Sequence, residues 1–167
     1  NKNYKMDFLS SSFNLELVLR LVLAVIFGGL IGLEREFAKK TAGLKTFALV
    51  SLGSSLFTII SILVFQFVSD IVPKNPLQLV TIPAAAVSGI GFIGAGLIIF
   101  HGSHVRGITT AAGLWVSAAV GMAVGFGFYE IAGFATFLTV IIFVLFWIIE
   151  EKLIRKLNVL NKDEKQP

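Results

Sequence analysis

The sequence predicts an all-α, polytopic membrane protein built as a bundle of five transmembrane helices. Three observations predict it. Mean hydropathy is +0.87. Only 14% of the residues are charged, where ordinary soluble domains carry about 25%. No acidic residue occurs between Asp70 and Glu130, and that stretch is rich in glycine. A charge in hydrocarbon is costly, and a glycine there permits close helix contact, so membrane burial accounts for both features.

A helix needs about 20 apolar residues to cross a hydrocarbon core of about 30 Å. Five stretches reach that length: Phe13 to Leu33, Leu44 to Val68, Leu79 to Phe100, Val105 to Phe128, and Ile131 to Ile149. Glu34-Arg35-Glu36 ends the first, Asp70 and Pro73 the second, and Glu150-Glu151-Lys152 the fifth. The chain therefore divides into an N-terminal segment 1–12, a membrane domain 13–149 and a basic tail 150–167. The first apolar run is too long for the core of a signal peptide.

Basic residues set the expected orientation. Lys2, Lys5 and Lys74 make three on one side of the membrane. Arg35, Lys39, Lys40, Lys45, Arg106, Lys152, Arg155, Lys156, Lys162 and Lys165 make ten on the other. This places the N-terminus outside and the C-terminus in the cytoplasm. The tail has Leu153, Ile154, Leu157 and Leu160 at near-helical spacing among basic residues. It reads either as an amphipathic helix on an anionic membrane surface or as a continuation of span five. The net charge of +4 is spread over membrane flanks and does not point to nucleic acid. With no cysteine, the chain has no disulfide framework, thiol nucleophile or Cys-ligated metal site.

Small residues recur at every fourth position, as Ala24, Gly28 and Gly32 in span one and as Thr109, Gly113, Ser117, Gly121 and Gly125 in span four. Such rows let helix backbones approach, within one bundle or at a homo-oligomer seam. Span three carries Ser88, Gly89, Gly91, Gly94 and Gly96 after Pro83. Gly89-x-Gly91-x-x-Gly94 spells the dinucleotide fingerprint, but the strand before it and the acid about 20 residues after it are missing. The glycines weaken the helix. Span three therefore reads either as a bent or interrupted segment at an ion or substrate site, or as a helix whose glycines simply allow a tight crossing with span four.

The charged candidates fall in two groups. Glu16 and Arg20 are an i,i+4 pair inside span one. Glu34, Arg35, Glu36, Lys45 and Arg106 gather at the cytoplasmic ends of spans one, two and four, where Arg106 is expected to pair with Glu34 or Glu36. The two acids also suit a cation entrance, leading to Ser88, the span-three glycines, Thr109 and Thr110. His101 and His104 suit one helix face but have no carboxylate beside them to complete a metal site. Mg²⁺ prefers oxygen ligands including one or two carboxylates. Spans two to four supply none, which disfavours a dehydrated Mg²⁺ cage and leaves a hydrated path lined by carbonyls and hydroxyls. No cofactor site and no catalytic constellation is expected, so the chain reads as a non-enzyme.

Three strings carry a resemblance: GGLIGLEREFAKKTAGLKTFALVSLGSSLF from Gly28, VSGIGFIGAGLII from Val87, and HVRGITTAAGLWVSAAVGMAVGFG from His104. In this order and spacing they resemble the MgtC/SapB family of bacterial membrane proteins. The resemblance implies a five-span inner-membrane protein with an external N-terminus, linked to magnesium limitation, acid tolerance or virulence. It implies either transport of Mg²⁺ or another cation, or a non-transporting regulator that binds a partner membrane protein such as the proton-driven ATP synthase. By motif it carries over Glu34, Arg35, Glu36, Gly43, Thr46, Gly89 to Gly96, Arg106, Thr109, Thr110 and Trp115. Lys45 stands where Arg is usual, which loses a bidentate fork. Thr81-Ile-Pro-Ala-Ala-Ala replaces a more polar approach to the second string, and the cytoplasmic domain of longer members is not expected here.

Overall fold

The computed structural model describes residues 15–68, 77–102 and 104–163, with the side chains of 78, 101 and 154–163 excepted. Segment 1–12, Lys74 and the side chains of the tail beyond Leu153 lie outside the described residues. Among the described residues five helices follow in order: α1 (Leu15–Phe37), α2 (Leu44–Val68), α3 (Leu77–Leu97), α4 (Ile108–Phe126) and α5 (Tyr129–Asp163). All five are long and apolar enough to cross a membrane. Between α3 and α4 lies an antiparallel hairpin, β1 (Ile99–His101) and β2 (His104–Arg106), in which Phe100 faces Val105. The hairpin corrects the expected ends of spans three and four. Residues 99–101 and 104–106 are strand, and Gly102 takes a φ of 60° after β1, a conformation that suits a hairpin turn.

The centre of the bundle is α1, α2 and α4, with α3 against α2 and α4, and α5 against α1 and α4. Glycines bring the three central helices together. A Cβ on Gly28 would lie 2.5 Å from Ser51 Cβ, one on Gly32 2.7 Å from Phe47 Cβ, and one on Gly125 2.7 Å from Thr58 Cβ. A Cβ on Gly121 would collide with the Ser51 carbonyl. Ser117 Oγ donates to Phe47 O at 3.0 Å across the same crossing. Ile31, Phe47, Leu114, Val120 and Val124 fill the space between. The expected packing rows (Ala24, Gly28 and Gly32; Gly113, Ser117, Gly121 and Gly125) are thus buried within one bundle.

Helix α3 is continuous from Leu77 to Leu97 with Pro83 inside it, so of the two readings of span three the uninterrupted helix holds. The physical reason is a substitute donor. Proline has no N–H to give the carbonyl four residues earlier, here that of Leu79. Ser61 Oγ of α2 donates to Leu79 O at 2.6 Å instead. Hydroxyl groups on neighbouring helices make proline tolerable in membrane helices in this way. The same bond fastens α3 to α2. Helix α5 runs unbroken for 35 residues, about 52 Å at 1.5 Å per residue. Its backbone makes the tail through Asp163 a continuation of span five.

Candidate functional site

Three consecutive charges at the end of α1 take three different partners. Arg35 is 3% exposed. Its guanidinium stacks 3.6 Å from the centre of the Phe143 ring on α5, and its Nε donates to the Glu34 carboxylate. Glu36 reaches across the loop, and its Oε2 accepts the Leu44 N–H at 3.2 Å. An anion at the start of a helix is favoured by the free N–H groups and the dipole there, so Glu36 caps α2. A Cβ on Gly43 would collide with that carboxylate, which explains glycine at this position. Helix α1 itself ends with Lys40 N bonded to Arg35 O and Lys39 N to Glu36 O, both at 3.0 Å. This is a Schellman turn with Lys39 at a φ of 53°. It leaves Lys40 close behind Arg35.

Helix α4 begins beside these groups. Its N-cap is Gly107, with a φ of 92° and no side-chain cap. A Cβ there would collide with the Leu97 carbonyl at the end of α3. Only glycine satisfies both the backbone angle and the close approach. The result is a pocket of about 420 Å³. Its polar lining is Arg35, Lys40, Gly107, Thr109, Thr110 and Glu150, and its wall on α5 is Ile142, Phe143, Phe146 and Trp147.

The expected residues fall as follows. Arg106 is exposed on β2, and among the described residues it pairs with neither Glu34 nor Glu36. Those acids are taken by Arg35 and by the α2 N-terminus. Lys45 is exposed at the start of α2, and Thr109 is exposed while Thr110 is buried. His101 and His104 face each other across the hairpin register instead of sharing a helix face. Arg20 pairs with Glu16, and its Nη1 donates to Gly125 O at 2.7 Å. It thus places a cation on the last carbonyls of α4, where the dipole favours one.

The glycine motif of α3 faces neither a cavity inside the bundle nor a tight crossing. A Cβ on Gly89, Gly91 or Gly96 would meet nothing within 4 Å, and one on Gly94 would lie an ordinary 3.8 Å from Ala111 Cβ. Ser88 is exposed beside them. Only 6% of the α3 span is buried, against 50% of the α4 span. Between α2 and α3 the surface opens into an apolar groove of about 690 Å³ lined by Gly53, Phe57, Ala86, Gly89 and Ile93 among others.

Sequence reasoning missed a column of hydroxyls on α2. Ser51, Ser54, Ser55, Thr58 and Ser61 are all buried. The Ser51 and Ser55 hydroxyls have no hydrogen-bond partner among the described residues. Their spacing of three and four residues was the available signal, since it marks one helix face.

Residues 21–152 match the model of the MgtC family. The chain belongs to the MgtC family. It is 41% identical over 143 residues to the Escherichia coli K12 protein named "Putative magnesium transporter YhiD", covering 84% of this chain and 65% of that protein. It is 45% identical over 113 residues to Protein MgtC of Brucella abortus strain 2308, covering 68% of this chain and 44% of that one. Protein SapB of Bacillus subtilis strain 168 is 40% identical over 141 residues, covering 81% of this chain and 59% of SapB. The matched region is thus less than two thirds of each relative's length. No solved structure matches the chain. Family membership and five apolar helices together make this a multi-pass membrane protein.

Proposed function

We propose that this protein serves magnesium homeostasis in the bacterial inner membrane by docking on another membrane-embedded helix, and that it is not an enzyme. The magnesium link rests on its likeness to the relatives named MgtC and "Putative magnesium transporter YhiD". The observation that carries the docking role is the open side of α3 shared by Gly89 and Gly96, two turns apart, where a Cβ on either would meet nothing within 4 Å. In lipid, a bare glycine surface gains nothing from acyl chains but lets a second backbone approach closely. Gly28, Gly32, Gly113, Gly121 and Gly125 of α1 and α4 lie tight against neighbouring helices, whereas Gly89, Gly91 and Gly96 of α3 have no neighbour within 4 Å. The basic end faces the cytoplasm by the excess of Lys and Arg there. The partner is either a second copy of this chain or a different membrane protein. Mild detergent extraction followed by native gel sizing tests the reading. Wild type runs as a complex larger than its 18.1 kDa chain, and Gly89→Leu runs as the free chain. A wild-type protein that is monomeric in the native membrane extract overturns it.

One observation favours a second reading, in which the chain conducts a cation. The partnerless Ser51 and Ser55 hydroxyls lie in the centre of the bundle, and buried orphan oxygens are unusual enough to ask for an explanation. Purified protein in liposomes loaded with a magnesium-sensitive dye separates the two readings. Docking alone gives no uptake above protein-free vesicles. Uptake that falls in Ser51→Ala or Ser55→Ala assigns the hydroxyl column to transport.

A further inference from the structure

We infer that the pocket at the basic end holds a phosphate group, that of a phospholipid headgroup. Four sets of donors converge there, each with N–H or O–H groups that bond to no described residue. The N-terminus of α4 has no side-chain cap because Gly107 stands at the N-cap, which leaves its first N–H groups without a partner. Thr110 is 3% exposed and lines the pocket, and its hydroxyl bonds to no described residue. The Arg35 side chain is 4% exposed. Its one hydrogen bond among the described residues is from Nε, so the two terminal nitrogens of the fork remain available. Lys40 lines the same pocket and is exposed at the mouth.

This donor set suits a phosphate. Helix N-termini bind phosphate oxygens through backbone N–H groups, and a guanidinium held flat by an aromatic ring presents two parallel donors. The ring of Phe143 under Arg35 supplies that support. The opposite wall identifies the source. Phe146 and Trp147 on α5 are apolar and exposed, as an acyl chain beside a headgroup requires, and tryptophan favours the headgroup level of a bilayer. Glu150 at the rim is the one acid lining the pocket, and it accommodates the ammonium of a zwitterionic headgroup such as phosphoethanolamine.

Native mass spectrometry of the full chain, delipidated in detergent, tests this. The added probes are phosphatidylethanolamine, diacylglycerol of the same chain length, and inorganic phosphate. Phosphatidylethanolamine is expected to be retained and diacylglycerol to be lost. Lys40→Gln and Thr110→Val each weaken retention about tenfold, the loss expected for one charge-assisted or buried hydrogen bond. Both variants keep the wild-type melting temperature without lipid, which separates a binding defect from misfolding. Inorganic phosphate that competes and is itself retained supports the site and assigns it to soluble phosphate. Equal retention of diacylglycerol and phosphatidylethanolamine overturns the proposal, as does unchanged retention in both variants.

Discussion

At the scale of single residues, the glycines of this chain divide into two populations that look identical in sequence. Gly121 lies against the α2 backbone, whereas Gly91 faces open space. Gly121→Ala is therefore expected to cost about 1–3 kcal/mol through overpacking, read as a lower melting temperature in detergent. Gly91→Ala, in the same assay on the free chain, is expected to be neutral or to stabilise by up to about 1 kcal/mol through helix propensity. Lys39 offers the reverse case, a side chain where glycine is preferred. Its φ of 53° makes Lys39→Gly stabilising by about 1 kcal/mol, seen as a rise in melting temperature. Spacing alone showed that Gly28, Gly32, Gly121 and Gly125 belong to packing rows. It did not show that Gly89, Gly91 and Gly96 lack a neighbour, because that depends on which helices are adjacent. The same holds for Glu36, whose capping partner Leu44 is across a loop.

At the scale of elements, the tie between α2 and α3 rests on one replaced hydrogen bond. Pro83 frees the Leu79 carbonyl, and Ser61 answers it. Ser61→Ala is expected to destabilise by about 1 kcal/mol, the order found for hydroxyl bonds between membrane helices. In a Pro83→Ala background the helix N–H returns to Leu79, and the Ser61→Ala cost is expected to shrink toward zero. A double-mutant cycle on thermal unfolding measures this coupling, and full additivity would contradict the account. The helices themselves were legible from apolar length, and α2 begins and ends where the sequence placed it. The hairpin was not. Residues 99–106 are apolar enough to read as helix ends, and the strand pairing depends on a turn at Gly102 with little local signal. The continuity of α3 was illegible for a related reason, since the compensating donor lies 18 residues before the carbonyl it serves.

At the scale of the whole molecule, the bundle joins a glycine-sealed centre of α1, α2 and α4 to a peripheral α3 whose glycine motif is unspent. Membrane burial and family were legible in composition and in three motifs. The Glu16–Arg20 pair was read correctly from its spacing, whereas the cluster of Glu34, Glu36 and Arg106 was found as a place but not as a partnership, because each responds to neighbours fixed by tertiary packing. The account assigns activity to the α3 face and to whatever helix covers it. Photocrosslinking in living cells, with a photoreactive amino acid at Gly89, tests that assignment most directly. The predicted result is a discrete protein adduct, from a second copy or another membrane protein, that a probe at lipid-facing Phe134 does not give. Adducts to lipid alone at both positions would contradict it.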